Sequence, residues 1–106
     1  MVLKYIKRIE EFHNVIKENK LVCINFTTTK PGPYENVGPQ FVKLHLDNAY
    51  PNVSLWKIDE YNFKAFKEAG ITSYDTFQFY KDGSKVEEVI TNSIEKVKEM
   101  IEKNIK

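Results

Sequence analysis

Apolar residues at Ile9, Phe12, Val15 and Ile16 recur at three- and four-residue spacing, which predicts an amphipathic helix over residues 8–19. Before it, residues 2–6 alternate as a short strand does; Asn19-Lys20 closes the helix. The next block has another pattern. Leu21-Val22-Cys23-Ile24-Asn25-Phe26 is apolar everywhere except Asn25 and rich in β-formers, as expected of a strand covered on both faces. Thr27 to Thr29 and a tight turn, Lys30-Pro31-Gly32-Pro33-Tyr34, follow it. A second helix is predicted from Pro33 or Tyr34, with Val37, Phe41, Leu44 and Ala49 on its apolar side and a bend at the internal Pro39.

Residues 52–59, with Val53, Leu55 and Ile58, form a second inner strand. Residues 60–69 carry Phe63, Ala65 and Phe66 on a short helix that Gly70 stops. Residues 76–80 and 85–90 read as strands joined through Lys81-Asp82-Gly83-Ser84, a hairpin signal. Ser93 caps a last helix whose stripe is Ile94, Val97, Met100, Ile101 and Ile105, with Glu95 in its first turn and Lys103 and Lys106 at its end. The order is β-α-β-α-β-α-β-β-α. Right-handed crossovers place parallel strands first and an antiparallel hairpin last, an α/β architecture with a mixed sheet.

Composition narrows this picture. The 106 residues suit one domain, 1–106, with a single core. Sixteen basic residues against 15 acidic, dispersed along the chain, leave a net charge of +1 and no footprint for nucleic acid or an anionic membrane. No apolar run approaches the roughly 20 residues that span a bilayer, and the N-terminus lacks a secretory apolar region. Cys23 is the single cysteine, so neither an intrachain disulfide nor a CxxC or zinc pattern exists. A cytoplasmic location is expected. His13 and His45 lack a cysteine or carboxylate at ligand spacing, so no metal is expected, and no cofactor motif is present.

Candidate chemistry centres on the turn at 30–34, because a strand running into a helix N-terminus gathers free N–H groups and a favourable dipole. Element order, length and punctuation here resemble the thioredoxin family over nearly the whole chain. Lys30-Pro31-Gly32-Pro33-Tyr34 occupies the place of the family's Trp-Cys-Gly-Pro-Cys, with Gly32 and Pro33 kept. Pro39 sits at the family's helix kink, Asp59 at the acidic end of its third strand, and residues 69–77 resemble the segment carrying its cis-proline.

The resemblance also marks departures. Pro31 stands in the place of the nucleophilic cysteine and Tyr34 in that of the resolving one, and neither can exchange a disulfide. Asn25 stands where the family buries a proton-exchanging aspartate, and an amide cannot serve as that base. Asp75 replaces the cis-proline, so a trans peptide is expected there, and Thr91 adds bulk where a glycine is usual.

The resemblance therefore implies a redox-inactive module, not a disulfide reductase. It would bind a protein or peptide through the family groove: Lys30, Pro31, Gly32, Pro33, Tyr34, Tyr74, Asp75 and Thr91. Lys30, Tyr34 and Tyr74 would form a small aromatic and basic patch. The Asp75 carboxylate is expected to accept N–H groups near Gly32 or Tyr34 and to pair with Lys30. A monomer or weak dimer is expected. The alternative is an atypical oxidoreductase using Cys23 alone, which requires an exposed thiol of depressed pKa. A third reading is a structural domain of a larger assembly. Cys23 itself reads as a core residue in a two-sided strand.

Overall fold

A computed structural model describes residues 5–18, 20–28 and 37–105. Helix α1 spans Ile9–Val15, strand β1 Leu21–Phe26, α2 Val37–Leu46, β2 Val53–Ile58, α3 Phe63–Ala69, β3 Thr76–Lys81, β4 Ser84–Ile90 and α4 Ile94–Ile105. The expected start of α2 near Pro33, the closing Asn19, residues 2–4 of the first strand and Lys106 lie outside the described residues. Of that first strand, Tyr5 makes a parallel bridge to Lys57, and Ile6 N donates to Lys57 O at 2.9 Å.

The sheet runs β2-β1-β3-β4, with β1 parallel to β2 and antiparallel to β3, and β3 antiparallel to β4. The mixed α/β sheet read from the sequence is thus the observed architecture. All six residues of β1 are buried, because it lies between β2 and β3 and is covered on both faces. On one face Leu21, Cys23, Leu55, Phe77 and Phe79 pack against Val37, Phe41 and Leu44 of α2 and Ile94, Val97, Met100 and Ile101 of α4. On the other, Val22, Ile24, Phe26, Ile58 and Tyr80 meet Phe12 and Val15 of α1 and Ala65 of α3. Aromatic rings knit both layers edge to face: Phe41 on Phe77 at 5.3 Å, and Phe26 on Phe66 at 5.4 Å.

Local chemistry sets the boundaries. The β3–β4 turn is two residues, Asp82 (φ 54°) and Gly83 (φ 84°), both left-handed as a hairpin matched to sheet twist requires. Gly70 ends α3 in the left-handed region (φ 73°), and Ile71 N returns to Phe66 O. Ser93 Oγ accepts from Lys96 N at the start of α4. Two differences from the sequence pattern have local causes. Helix α1 stops at Val15 instead of 19, and Lys17 and Glu18 donate to carbonyls three residues back, a tightened last turn. Asn62 caps α3, its Oδ1 accepting from Ala65 N, so the helix begins at Phe63 and that ring faces solvent, 69% exposed. Ala49 lies beyond the end of α2, and Ile105, in the last turn of α4, is exposed.

Candidate functional site

The topology brings one end of the sheet into focus. Phe26 of β1 is level with Ile58 of β2 and Thr76 of β3, and Thr76 with Ile90 of β4. The carboxyl ends of the parallel strands therefore share an edge with the loop before β3 and the exit of β4, where open α/β sheets gather ligands. Beyond that edge Thr27 N donates to Ile58 O, Thr28 Oγ1 to Glu60 Oε1, and Thr91 N to Asp75 O. Lys30, Pro31, Gly32, Pro33 and Tyr34 lie outside the described residues, and so do the contacts expected between them and Asp75.

Asp75 and Asn25 meet at this edge. Asn25 Nδ2 donates to Asp75 Oδ1 at 3.3 Å, and the two residues are 0% and 6% exposed. The described partner of Asp75 is thus Asn25, a pairing that the sequence reading did not make. Asn25 Oδ1 is buried with no hydrogen-bond partner among the described residues. A carboxylate offers about four lone-pair sites, and Asn25 Nδ2 fills one of them among the described residues. The pair is consequently rich in acceptors and holds no general base beside a thiol. No peptide bond among the described residues is cis, so the bond before Asp75 is trans as expected.

Tyr74, half exposed, turns to the other face of the sheet edge. Its ring lies 6.1 Å from Phe66, and with Ile71, Thr72 and Ser73 the two line a hollow of about 420 Å³. The floor is fixed by Thr76 Oγ1 donating to Ser73 O at 2.6 Å and by the Gly70 cap that returns Ile71 to Phe66. The sequence reading found Tyr74 but not Phe66, Ile71, Thr72 and Ser73; the signal was the run directly after the helix-stopping Gly70. Thr91 does not simply add bulk: its Oγ1 accepts from Ser93 N at 3.0 Å and is committed to the approach to α4. Asp75 and Tyr74 are sequence neighbours whose described contacts lie on opposite faces of the sheet edge, at Asn25 and Phe66 respectively.

Cys23 is fully buried in mid-strand between Leu55 and Phe79. Burial pushes its thiol well above the ordinary range, the reverse of what the single-thiol alternative requires. His13 does have a carboxylate partner, Glu68 on α3, which sequence spacing could not reveal across 55 residues.

With this geometry in hand, comparison with known proteins is direct. A family model for thioredoxin matches residues 4–106. Thioredoxin-1 of Schizosaccharomyces pombe is 28% identical over 105 residues, covering 98% of this chain and all (100%) of that protein. The H-type thioredoxin of Chlamydomonas reinhardtii is 36% identical over 89 residues, 83% of this chain and 78% of its own. The crystal structure of Malassezia sympodialis thioredoxin superposes with a TM-score of 0.88 at 28% identity, covering 99% of this chain and 92% of that one.

Proposed function

The chain belongs to the thioredoxin family, and from that premise we propose that it is a redox-inactive member that binds a protein or peptide at the carboxyl ends of its parallel strands. The observation that carries this reading is the placement of its one cysteine. Thiol–disulfide exchange needs a thiolate that can attack sulfur and a second thiol to release the mixed disulfide. The chain has one thiol in all, and it is sealed inside the sheet with its pKa raised. The relatives are named thioredoxins; cysteine content is what separates this chain from thiol chemistry.

Contact chemistry remains available at the same end. The hollow beside Tyr74 is of a size for an apolar side chain, and in the Asn25–Asp75 pair Asn25 Oδ1 has no partner among the described residues. Tyr74, Asp75 and Thr91, with Lys30, Pro31, Gly32, Pro33 and Tyr34 from the sequence, make up the proposed groove. The partner is a protein or peptide, no cofactor takes part, and the module acts as a monomer or weak dimer. A chain with one thiol and no intrachain disulfide suits a reducing, cytoplasmic setting.

Two measurements test this. In dithiothreitol-driven reduction of insulin disulfides, the protein should add nothing to the rate with dithiothreitol alone; catalysis abolished by Cys23→Ser would overturn redox inactivity. Peptides selected from a display library on the immobilised protein should lose binding on Tyr74→Ala. Retention of every selected peptide by Tyr74→Ala, Asp75→Ala and Thr91→Ala would remove the groove from the proposal.

A further inference from the structure

Gln78 is a polar residue set deep in the sheet. Its side chain is 0% exposed, in mid-β3 on the side of Tyr80, α1 and α3. A buried amide must find partners for its two donors and its oxygen, or it weakens the fold. Here both ends are used. Nε2 donates to Ala69 O at 2.9 Å and to Glu88 Oε2 at 2.6 Å, and Oε1 accepts from the Tyr80 hydroxyl. The reversed amide would set its oxygen against two acceptors, so these partners fix one orientation.

The carbonyl that Gln78 holds is a particular one. Ala69 is the last residue of α3, and a helix leaves its final carbonyls without intrahelical donors. Gly70 N takes Lys67 O, Ile71 N takes Phe66 O, and Gln78 takes Ala69 O. Ala65 is the one buried residue of α3, and an element with so little buried surface opens at low free energy unless tied. Two positions earlier on the same face of β3, Thr76 Oγ1 donates to Ser73 O at 2.6 Å. Two side chains of β3 thus grip the segment 69–73 at its two ends. Between these ties lie Ile71 and Thr72, which line the Tyr74 hollow with Phe66 and Ser73; Gln78 itself does not line it.

We propose that Gln78 is the positioning residue of the Tyr74 hollow. Through Ala69 O it holds the wall made by Phe66 and Ile71 at the distance from Tyr74 that admits a bulky apolar side chain. Glu88, on the edge strand β4, acts on the same wall by orienting the Gln78 amide. A hollow held open before its ligand arrives binds more tightly, because less ordering is left to binding. Among the described residues no charged side chain lines it, so its occupant is an uncharged apolar group. This assignment deepens the groove reading above and rests on it.

Two readouts test it. Amide hydrogen exchange is followed by NMR in Gln78→Met, which keeps the length and loses both donors, and in Gln78→Met/Tyr80→Phe, which strands no hydroxyl. Exchange at Gly70 and Ile71 should rise about tenfold more than at Ile24 of β1, which reports opening of the whole sheet. Equal rises at all three would make Gln78 a general stabiliser and overturn the proposal, as would no rise at Gly70 and Ile71. The second readout is a titration with N-acetylphenylalaninamide, read from the amide shifts of Ile71, Thr72 and Tyr74. Affinity should fall about tenfold in both Gln78 variants, and in the same direction in Glu88→Ala. In a Tyr74→Ala background, Gln78→Met should cost nothing further, because the opposite wall has gone. Unchanged affinity in the Gln78 variants would overturn the proposal. No shifts with the wild-type protein would instead strike the groove reading, and the exchange ratios would decide the role of Gln78.

Discussion

The sharpest consequence of the structure concerns how slowly Cys23 should react. Its backbone sits in the central strand, opposite Leu55 on one side and Phe79 on the other, and its side chain is 0% exposed. A reagent reaches the sulfur only if β1 separates from β2 or β3, or if α2 and α4 lift from the layer that covers it. Central strands open at free energies close to global unfolding, and a domain of this size unfolds at about 5 kcal/mol or more. At that cost the open state is populated at about one part in 10³ to 10⁴. Native Cys23 should therefore react with a chromogenic disulfide reagent at least about 10³-fold more slowly than the chain in guanidinium, at equal pH. The raised pKa slows it further, since the thiolate is the reacting species. The assay is a pseudo-first-order trace of reagent colour under both conditions. A native rate within tenfold of the denatured rate would refute the burial argument and bring the single-thiol reading forward.

Other expectations follow from specific contacts. Asn25→Asp would set a second buried carboxylate against Asp75 at about the present 3.3 Å contact; we expect a loss of about 1–3 kcal/mol at neutral pH in urea titration, shrinking as the pH falls and the pair takes up a proton. Phe41→Ala, which empties a site 1% exposed beneath Phe77, should cost about 3–5 kcal/mol by the same titration. Burial pushes Tyr80 up to about 12, helped by the Glu88 and Glu68 carboxylates, and burial with the Glu102 carboxylate does the same for Tyr50. Both folded-state values lie above the unfolded value near 10, so this stability is intact below pH 10 and lost as pH rises toward 12. Absorbance at about 295 nm should show these phenols ionising late, with unfolding; a complete titration at pH 10 in the folded protein would contradict the burial.

What was legible in the sequence was local or periodic. β1 announces its two-sided burial because every residue but one is apolar, and the hairpin announces itself through Asp82-Gly83, where the turn demands two left-handed residues. What was not legible depended on register. Asn25 lies opposite Phe77, so the residue two earlier on the same face, Asp75 at the entry to β3, falls diagonally against it. No pattern within either segment contains that fact; it arises from the antiparallel register of strands 50 residues apart. Phe63 is the converse case. Its apolar type suggested core, but the cap at Asn62 sets the helix phase and leaves the ring in solvent. Pattern reads composition; the cap decides direction.

The loops of the candidate site lie at one end of the sheet for a topological reason. β1 and β2 run in the same direction, so the loops leaving them, at 27–28 and 59–62, open on the same side. β3 runs against them, so the loop entering it, at 72–75, arrives there too. Such a fold concentrates loop side chains at that end whatever chemistry they carry. The two faces of β1 then divide them. Asn25 projects with Cys23 to the α2–α4 side, where Asp75 meets it, while Phe26 projects to the α1–α3 side, where it meets Phe66. Asn25 Oδ1, which has no partner among the described residues, therefore lies on the α2 side. The Asn25–Asp75 pair and the Tyr74 hollow thus lie on opposite faces of the sheet, with β1, all six of whose residues are buried, between them. Substitutions at Asn25 and at Phe66, which share no partner among the described contacts, should accordingly have additive effects on stability, read from urea titrations of the single and double variants.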